Sequence, residues 1–307
     1  MSIIYTPLGW LLEFSYRLVN NYGLALIIFT VIVKAALVPL SVKQQKGMAS
    51  QARLQPRIQA LKKKYEKDRQ KFTEEQQKLY SEEKINPMSG CLPMLIQMPI
   101  LFGLFHVIYR PLTYIIGVNK DVIDAAIKFA EAAKENGVEA FANLARGREE
   151  LFMLGNMDAF PENIFSADIT KEVSGLDFNF LGLNLLETPN FKELNWLWVI
   201  PLLSGGSALV SSLITMRINK QGGNPQAAAG GPNMNGMLFM MPVMSLFFTF
   251  SFPAGIGFYW TCSNLLAIVQ QVLIQKFYSP ALIIARQERD NIKKIREREE
   301  KIKNLIS

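Results

Sequence analysis

The sequence predicts an all-α membrane protein with five transmembrane helices, a cytoplasmic helical hairpin and an amphipathic external N-terminal helix. Three observations carry that prediction. Half of the 307 residues are hydrophobic and the mean hydropathy is +0.14, although 19% are charged. The apolar residues gather into five runs of bilayer-crossing length. Basic and acidic excess also alternates between the connections. Residues 43–87 hold twelve Lys/Arg against six Asp/Glu, residues 111–193 hold seven against fourteen, and the tail from Lys276 holds nine against five. Because basic residues near span ends favour the cytoplasm, the 43–87 segment, the 217–235 loop and the tail are expected inside. Residues 1–20 and 111–193 are expected outside.

Residues 1–20 come first, with Trp10, Leu11, Phe14, Leu18 and Val19 at helical spacing and Glu13 and Arg17 between them. An apolar stripe of this kind lies in a membrane interface rather than across it. The start lacks the ordered regions of a secretory signal and a lipid-modified cysteine near the start. A longer precursor and unaided insertion of a short amino-terminus both fit.

The first span, residues 21–42, organises the rest of the chain. Its run YGLALIIFTVIVKAALVPLSV is uncharged except for Lys34. A lysine near the middle of such a segment costs about 2.5–3.5 kcal/mol on insertion scales. Snorkelling to the headgroups is the plain alternative, but Val42 lies about 12 Å further along the helix, beyond comfortable reach. A charge facing a wetted cavity between helices accounts for Lys34 better. Thr30 sits one turn earlier on the same face and adds a hydroxyl.

Residues 43–87 turn strongly polar. Leu54, Ile58, Leu61 and Tyr65 form a single apolar stripe that is interrupted near Asp68 and resumes over Phe72–Tyr80. Two antiparallel helices outside the membrane fit this pattern. Their basic face suits a polyanion such as ribosomal RNA or anionic lipid, with simple solvation as the alternative for individual lysines.

The second span, 88–110, carries Pro93, Pro99 and Gln97. Counted from the cytoplasmic side, Gln97 lies about 9 Å deep, close to the depth of Lys34. That common depth points to a shared hydrophilic pocket rather than two separate helix-gluing contacts. Cys91 and Cys262 lie in apolar runs and His106 lies in the second span. No disulfide framework, metal site or cofactor is expected from them.

The extracytoplasmic acidic insertion, 111–193, reads as helical over Val122 to Leu151, with Gly137 turning between two helices. The third span, 194–216, opens with Trp196 and Trp198 as an outer aromatic belt and is rich in small residues at its centre. A Gly/Pro/Asn-rich loop over 217–235 leads to the Met- and Phe-rich fourth span, 236–252. A tight turn then opens the fifth span, 254–277, and residues 278–307 form a charged helical tail with a basic excess.

Three stretches together resemble the shared core of the YidC/Oxa-type membrane protein insertases. They are VKAALVPLSVKQQKGMASQARLQPRIQALKKKY, NPMSGCLPMLIQMPILFGLF and PAGIGFYWTCSNLLAIVQQVLIQ. The resemblance covers about three quarters of the chain, with FNFLGLNLL (178–186) resuming it after the insertion. It implies a five-span bundle with a hydrophilic groove open to cytoplasm and lipid and closed to the outside. In that family a positive residue of the first span, usually arginine, lies in the groove. The matching position here is Lys34, which keeps the charge without the planar five-donor fork. Thr30 and Gln97 match groove positions, and Tyr259 and Trp260 match an aromatic pair on the last span.

The function so implied is that of a membrane protein insertase and chaperone in the bacterial cell membrane, without chemical catalysis, its N-terminus outside and its C-terminus cytoplasmic. Nascent membrane protein clients are the expected partners, with the ribosome at the hairpin and tail, anionic lipid, and the Sec translocon as a further candidate. The sequence shows no nucleotide loop, catalytic triad or acid pair within the spans. A small-solute transporter or channel with an anion site at Lys34 is the alternative. It would need a path open on both sides and often shows internal repeats, which the sequence lacks.

Overall fold

A computed structural model describes residues 2–83, 85, 92–222 and 234–306. The helices are α1 (Ser2–Val19), α2 (Tyr22–Lys64), α3 (Arg69–Glu82), α4 (Leu92–Ile108), α5 (Lys120–Glu135), α6 (Glu149–Gly155) and α7 (Ala167–Ser174). After strands β1 (Asn179–Phe180) and β2 (Leu183–Asn184) follow α8 (Val199–Gly222), α9 (Met234–Thr249), α10 (Ala254–Phe277) and α11 (Pro280–Ile306). The chain is thus a mostly helical membrane protein. Among the described residues, three stretches are long and apolar enough to cross a bilayer: Tyr22–Lys64, Trp196–Arg217 and Ala254–Asn304. The apolar helices α4 and α9 are shorter, at 17 and 16 residues.

The chain divides into two compact units, residues 1–33, 96–206 and 244–263 in the first and the remainder in the second. In the first unit a core of Leu12, Tyr16, Leu26, Phe29, Leu104, Ile108, Leu185, Ile200, Ile256 and Tyr259 excludes solvent. The amphipathic α1 turns Leu12 and Tyr16 to that core while Trp10, Phe14 and Leu18 stay exposed. A second cluster holds the insertion together. Ile123, Ala126 and Ala130 of α5 pack with Phe141, Met153, Phe160 and Phe165, and the aromatic rings meet edge-on or tilted, as their quadrupoles favour.

In the second unit, the polar end of α2 and α3 pack together through Leu54, Ile58 and Phe72. Asp68 caps α3 by accepting from the Lys71 backbone N–H at 3.0 Å. Arg53 and Arg57 both reach Glu83, at 2.9 and 2.6 Å.

α2 runs unbroken from the apolar run into the polar segment, as far as Lys64, with Pro56 inside it. The Gln, Lys, Ala and Arg residues of that polar part are strong helix formers. The structure corrects two expectations. A second insertion helix does not occupy residues 138–148. Gly137 makes the expected turn at φ +75°, but a 3-10 turn at Glu139–Phe141 drives Phe141 into the aromatic cluster, and Gly147 at φ +81° delays α6 to Glu149. Finally, the all-α prediction misses one antiparallel pair, Asn179 with Asn184 and Phe180 with Leu183. The loop expected over 217–235 lies largely outside the described residues, as does Cys91.

Candidate functional site

The first unit contains four of the five residues the sequence singles out. Tyr259 is 1% exposed, and its ring meets the Phe29 ring edge-on with ring centres 6.3 Å apart. Its hydroxyl hydrogen-bonds the side chains of Gln97 and Ser263. Two residues earlier, Gly257 lets α10 approach Thr249 of α9 and Ile200 of α8 closely. A Cβ there would stand 2.2 Å from the Thr249 methyl and 2.7 Å from Ile200. The first turn of α10 is held as well, since the Ala254 and Gly255 N–H groups donate to the Glu187 and Leu185 carbonyls, both at 2.7 Å. These bonds satisfy donors that a helix start leaves open.

Gln97 and Tyr259 are therefore brought together. Thr30 is buried and turns its hydroxyl back to the Leu26 carbonyl at 2.5 Å, so its proton is already committed. Trp260 follows Tyr259 but points away from the polar pair, as successive helical residues do. Its ring meets Phe105 edge-on at 6.2 Å, and Phe105 in turn packs on Phe252 at 5.1 Å. His106 stacks on Tyr5 at 4.2 Å and packs against Tyr114, so it serves packing.

Lys34 belongs to the second unit. It is half-buried, and among the described residues no carboxylate pairs with it. Within the same unit, α2, α8 and α10 meet through neutral polar side chains that the sequence reading missed. The Gln270 amide donates to the Ser41 hydroxyl at 2.7 Å. Gln271 donates to Thr215 at 3.2 Å, Asn264 to Ser207 at 3.2 Å, and Gln45 to Gln275 at 3.4 Å. The adjacent Gln270 and Gln271 in an apolar helix were a signal of the same kind as Lys34, because polar groups inside a span need partners.

The arrangement offers exchangeable amide and hydroxyl partners. Among the described residues no group of three or more His, Cys, Asp or Glu could hold a metal ion. Residues 14–281 match the protein-family model described as "60Kd inner membrane protein". The chain belongs to that family. Family membership covers every helix that contributes to the polar layer and to the Tyr259 site. Among similar proteins are those named "Membrane protein insertase YidC" in Nitratidesulfovibrio vulgaris, 30% identical over 88% of this chain, and in Rhizobium meliloti, 32% identical over 88%. Another, from Agrobacterium fabrum, is 30% identical over 94% of this chain. The chain spans little more than a third of the length of these relatives, 38%, 36% and 38% respectively.

Proposed function

We propose that this protein is a membrane protein insertase that carries polar segments of client proteins across part of the bilayer by hosting them in a hydrophilic groove. The observation that carries this reading is the layer of neutral amide and hydroxyl pairs joining Ser41, Thr215, Gln270 and Gln271 on helices long and apolar enough to cross a membrane. The name borne by its family relatives supports the same reading. A client's polar stretch costs several kcal/mol for each unsatisfied group in hydrocarbon. A wetted layer part-way into the membrane shortens the dry path. Amides and hydroxyls exchange partners without holding a guest tightly, and Lys34 adds positive potential that attracts acidic or carbonyl-rich segments. In the first unit, the Gln97–Tyr259 pair offers polar partners of the same exchangeable kind, with Thr30 and Trp260 as the other residues there that the family resemblance assigns to client binding.

The topology that goes with it has five spans, with α4 and α9 as the second and fourth. The α2–α3 hairpin and α11 lie in the cytoplasm, where their basic residues face the ribosome or anionic lipid, and the Sec translocon is a further partner. The exposed Trp10, Phe14 and Leu18 of α1 lie in the outer interface. No bond is made or broken in the process.

Insertion into proteoliposomes tests the proposal. Lys34→Ala is expected to impair clients with charged external segments, whereas Lys34→Arg is expected to retain activity because it keeps the potential. A photo-crosslinker at position 34 should capture nascent membrane chains. Full activity of the alanine variant, with no captured chain, would remove the groove role.

A further inference from the structure

The tip of the β1–β2 hairpin presents a leucine that nothing in the fold requires. Leu181 is 79% exposed and adopts φ +52°, followed by Gly182 at φ +78°. Two successive positive φ values in a two-residue hairpin turn favour Asn-Gly, and a leucine in the first position is strained. Its side chain gains no burial in return. The base of the hairpin, by contrast, is firmly fixed. Leu183 and Leu185 are buried in the core, Phe180 packs on Phe258 with ring centres 5.1 Å apart, and the Phe180 ring lies so close to Gly23 that a Cβ there would stand 2.3 Å from it.

The place of this hairpin identifies its surroundings. All three membrane-crossing stretches begin beside it. The Tyr22 N–H, at the start of α2, donates to the Asp177 carbonyl at 2.9 Å, and α10 begins with its donations to Leu185 and Glu187. The Trp196 indole N–H, three residues before α8, donates to the Leu181 carbonyl itself at 3.4 Å. Next to the turn, Leu194 is 84% exposed and Trp196 is 63% exposed. Residues 180–183 carry no charge, while Glu187, Lys192 and Glu193 flank the patch. Apolar groups, an indole and flanking charges at the level where spanning helices start match the chemistry of a bilayer interface.

We propose that the β1–β2 turn, with Leu181 at its tip and Leu194 and Trp196 beside it, is a lipid-docking site seated in the interfacial zone of the leaflet where α2, α8 and α10 begin. The strained leucine is then explained by apolar area buried in lipid rather than in protein. The docked turn holds the heads of three spanning helices at one membrane depth. The inference goes beyond the insertase reading and rests only on those helices crossing the bilayer.

The test uses the purified full chain in phosphatidylcholine vesicles, with Cys91 and Cys262 replaced by serine. A cysteine bearing an environment-sensitive fluorophore is placed in turn at position 181, at Leu203 on the outward face of α8, and at the exposed Glu139. Labels at 181 and 203 are expected to be quenched at least twofold by lipid carrying a nitroxide near the headgroup, and the label at 139 by aqueous iodide only. Lipid quenching at 203 but not at 181 would overturn the docking site alone. Quenching at neither would overturn the spanning reading and the docking site with it. Labelling at an exposed turn residue leaves the core intact, so loss of folding does not confuse the result.

Discussion

The Gln270 amide donates to the Ser41 hydroxyl across 2.7 Å and so ties the middle of α10 to α2, two turns beyond Lys34. Ser41 also donates to the Leu37 carbonyl at 3.1 Å, leaving its oxygen free to accept from Gln270. Gln270→Leu removes the only amide in that pair. Interhelical hydrogen bonds in membranes contribute about 0.6–2 kcal/mol, so a modest loss of thermal stability is expected. The functional effect should be selective. Insertion of clients with polar external segments is expected to fall more than insertion of wholly apolar ones, measured side by side in proteoliposomes. Equal effects on both classes would show that the layer only glues helices.

Tyr22 offers a test of stability alone. It is fully buried at the start of α2, and its hydroxyl has no hydrogen-bond partner among the described residues. Its ring earns its place by packing edge-on to Phe178 at 5.2 Å. A buried, unpaired hydroxyl costs about 1–3 kcal/mol. Tyr22→Phe keeps the ring and removes the cost, so the variant is expected to unfold at a higher temperature in detergent. A lower midpoint would mean that the hydroxyl finds a partner in the membrane-bound protein.

The helices were legible in the sequence because hydropathy and helical periodicity are local properties. The turn at Asp68 and the start of α10 after Pro253 follow from capping and proline chemistry within a few residues. Lys34 stood out because a charge inside an apolar run has few explanations, and its groove role stays a proposal. What could not be read depends on contacts between distant segments. Phe141 leaves the helical pattern for an aromatic cluster built from Phe129, Phe152 and Phe160. The partners of Gln270 and Gln271 lie on other helices, and only the packing shows that Gln97 meets Tyr259 while Trp260 turns away. Thr30 shared a face with Lys34 on paper, but a serine or threonine in a helix can spend its proton on its own backbone, as Thr30 does.

The α2–α3 pairing leads to a local prediction. Glu83 draws Arg53 and Arg57 together at one end of a small core made by Leu54, Ile58 and Phe72. The three side chains are partly exposed, so the pairs contribute about 0.5–1 kcal/mol in all. Glu83→Gln is expected to raise amide hydrogen exchange across Arg69–Glu82 about two- to fivefold, while exchange in the buried part of α10 stays unchanged. Faster exchange in both places would show that the hairpin supports the global fold.

Glu150 supplies a pH dependence whose sign can be worked out. It is buried in the insertion and accepts from the Thr113 N–H at 2.9 Å and the Thr113 hydroxyl at 2.6 Å, fastening α6 to the π-helical segment Leu112–Ile116. Burial pushes its carboxyl above the ordinary value of 4.5, and the Thr113 bonds and the nearby Arg110 charge pull it back only in part. Tyr114, the other titratable group close by, stays neutral in this range because burial raises its pKa. The folded state therefore holds the proton more tightly than the unfolded chain. The stability this provides is complete below pH 4.5, declines as pH rises through the raised folded value and is then constant. Glu150→Gln keeps an acceptor for Thr113 and removes the titration. Hydrogen exchange of residues 149–155 between pH 4 and pH 8, corrected for intrinsic exchange rates, is expected to show protection falling with pH in the native protein. In the glutamine variant that protection should stay level. Parallel slopes in the two proteins would assign the pH dependence to another group.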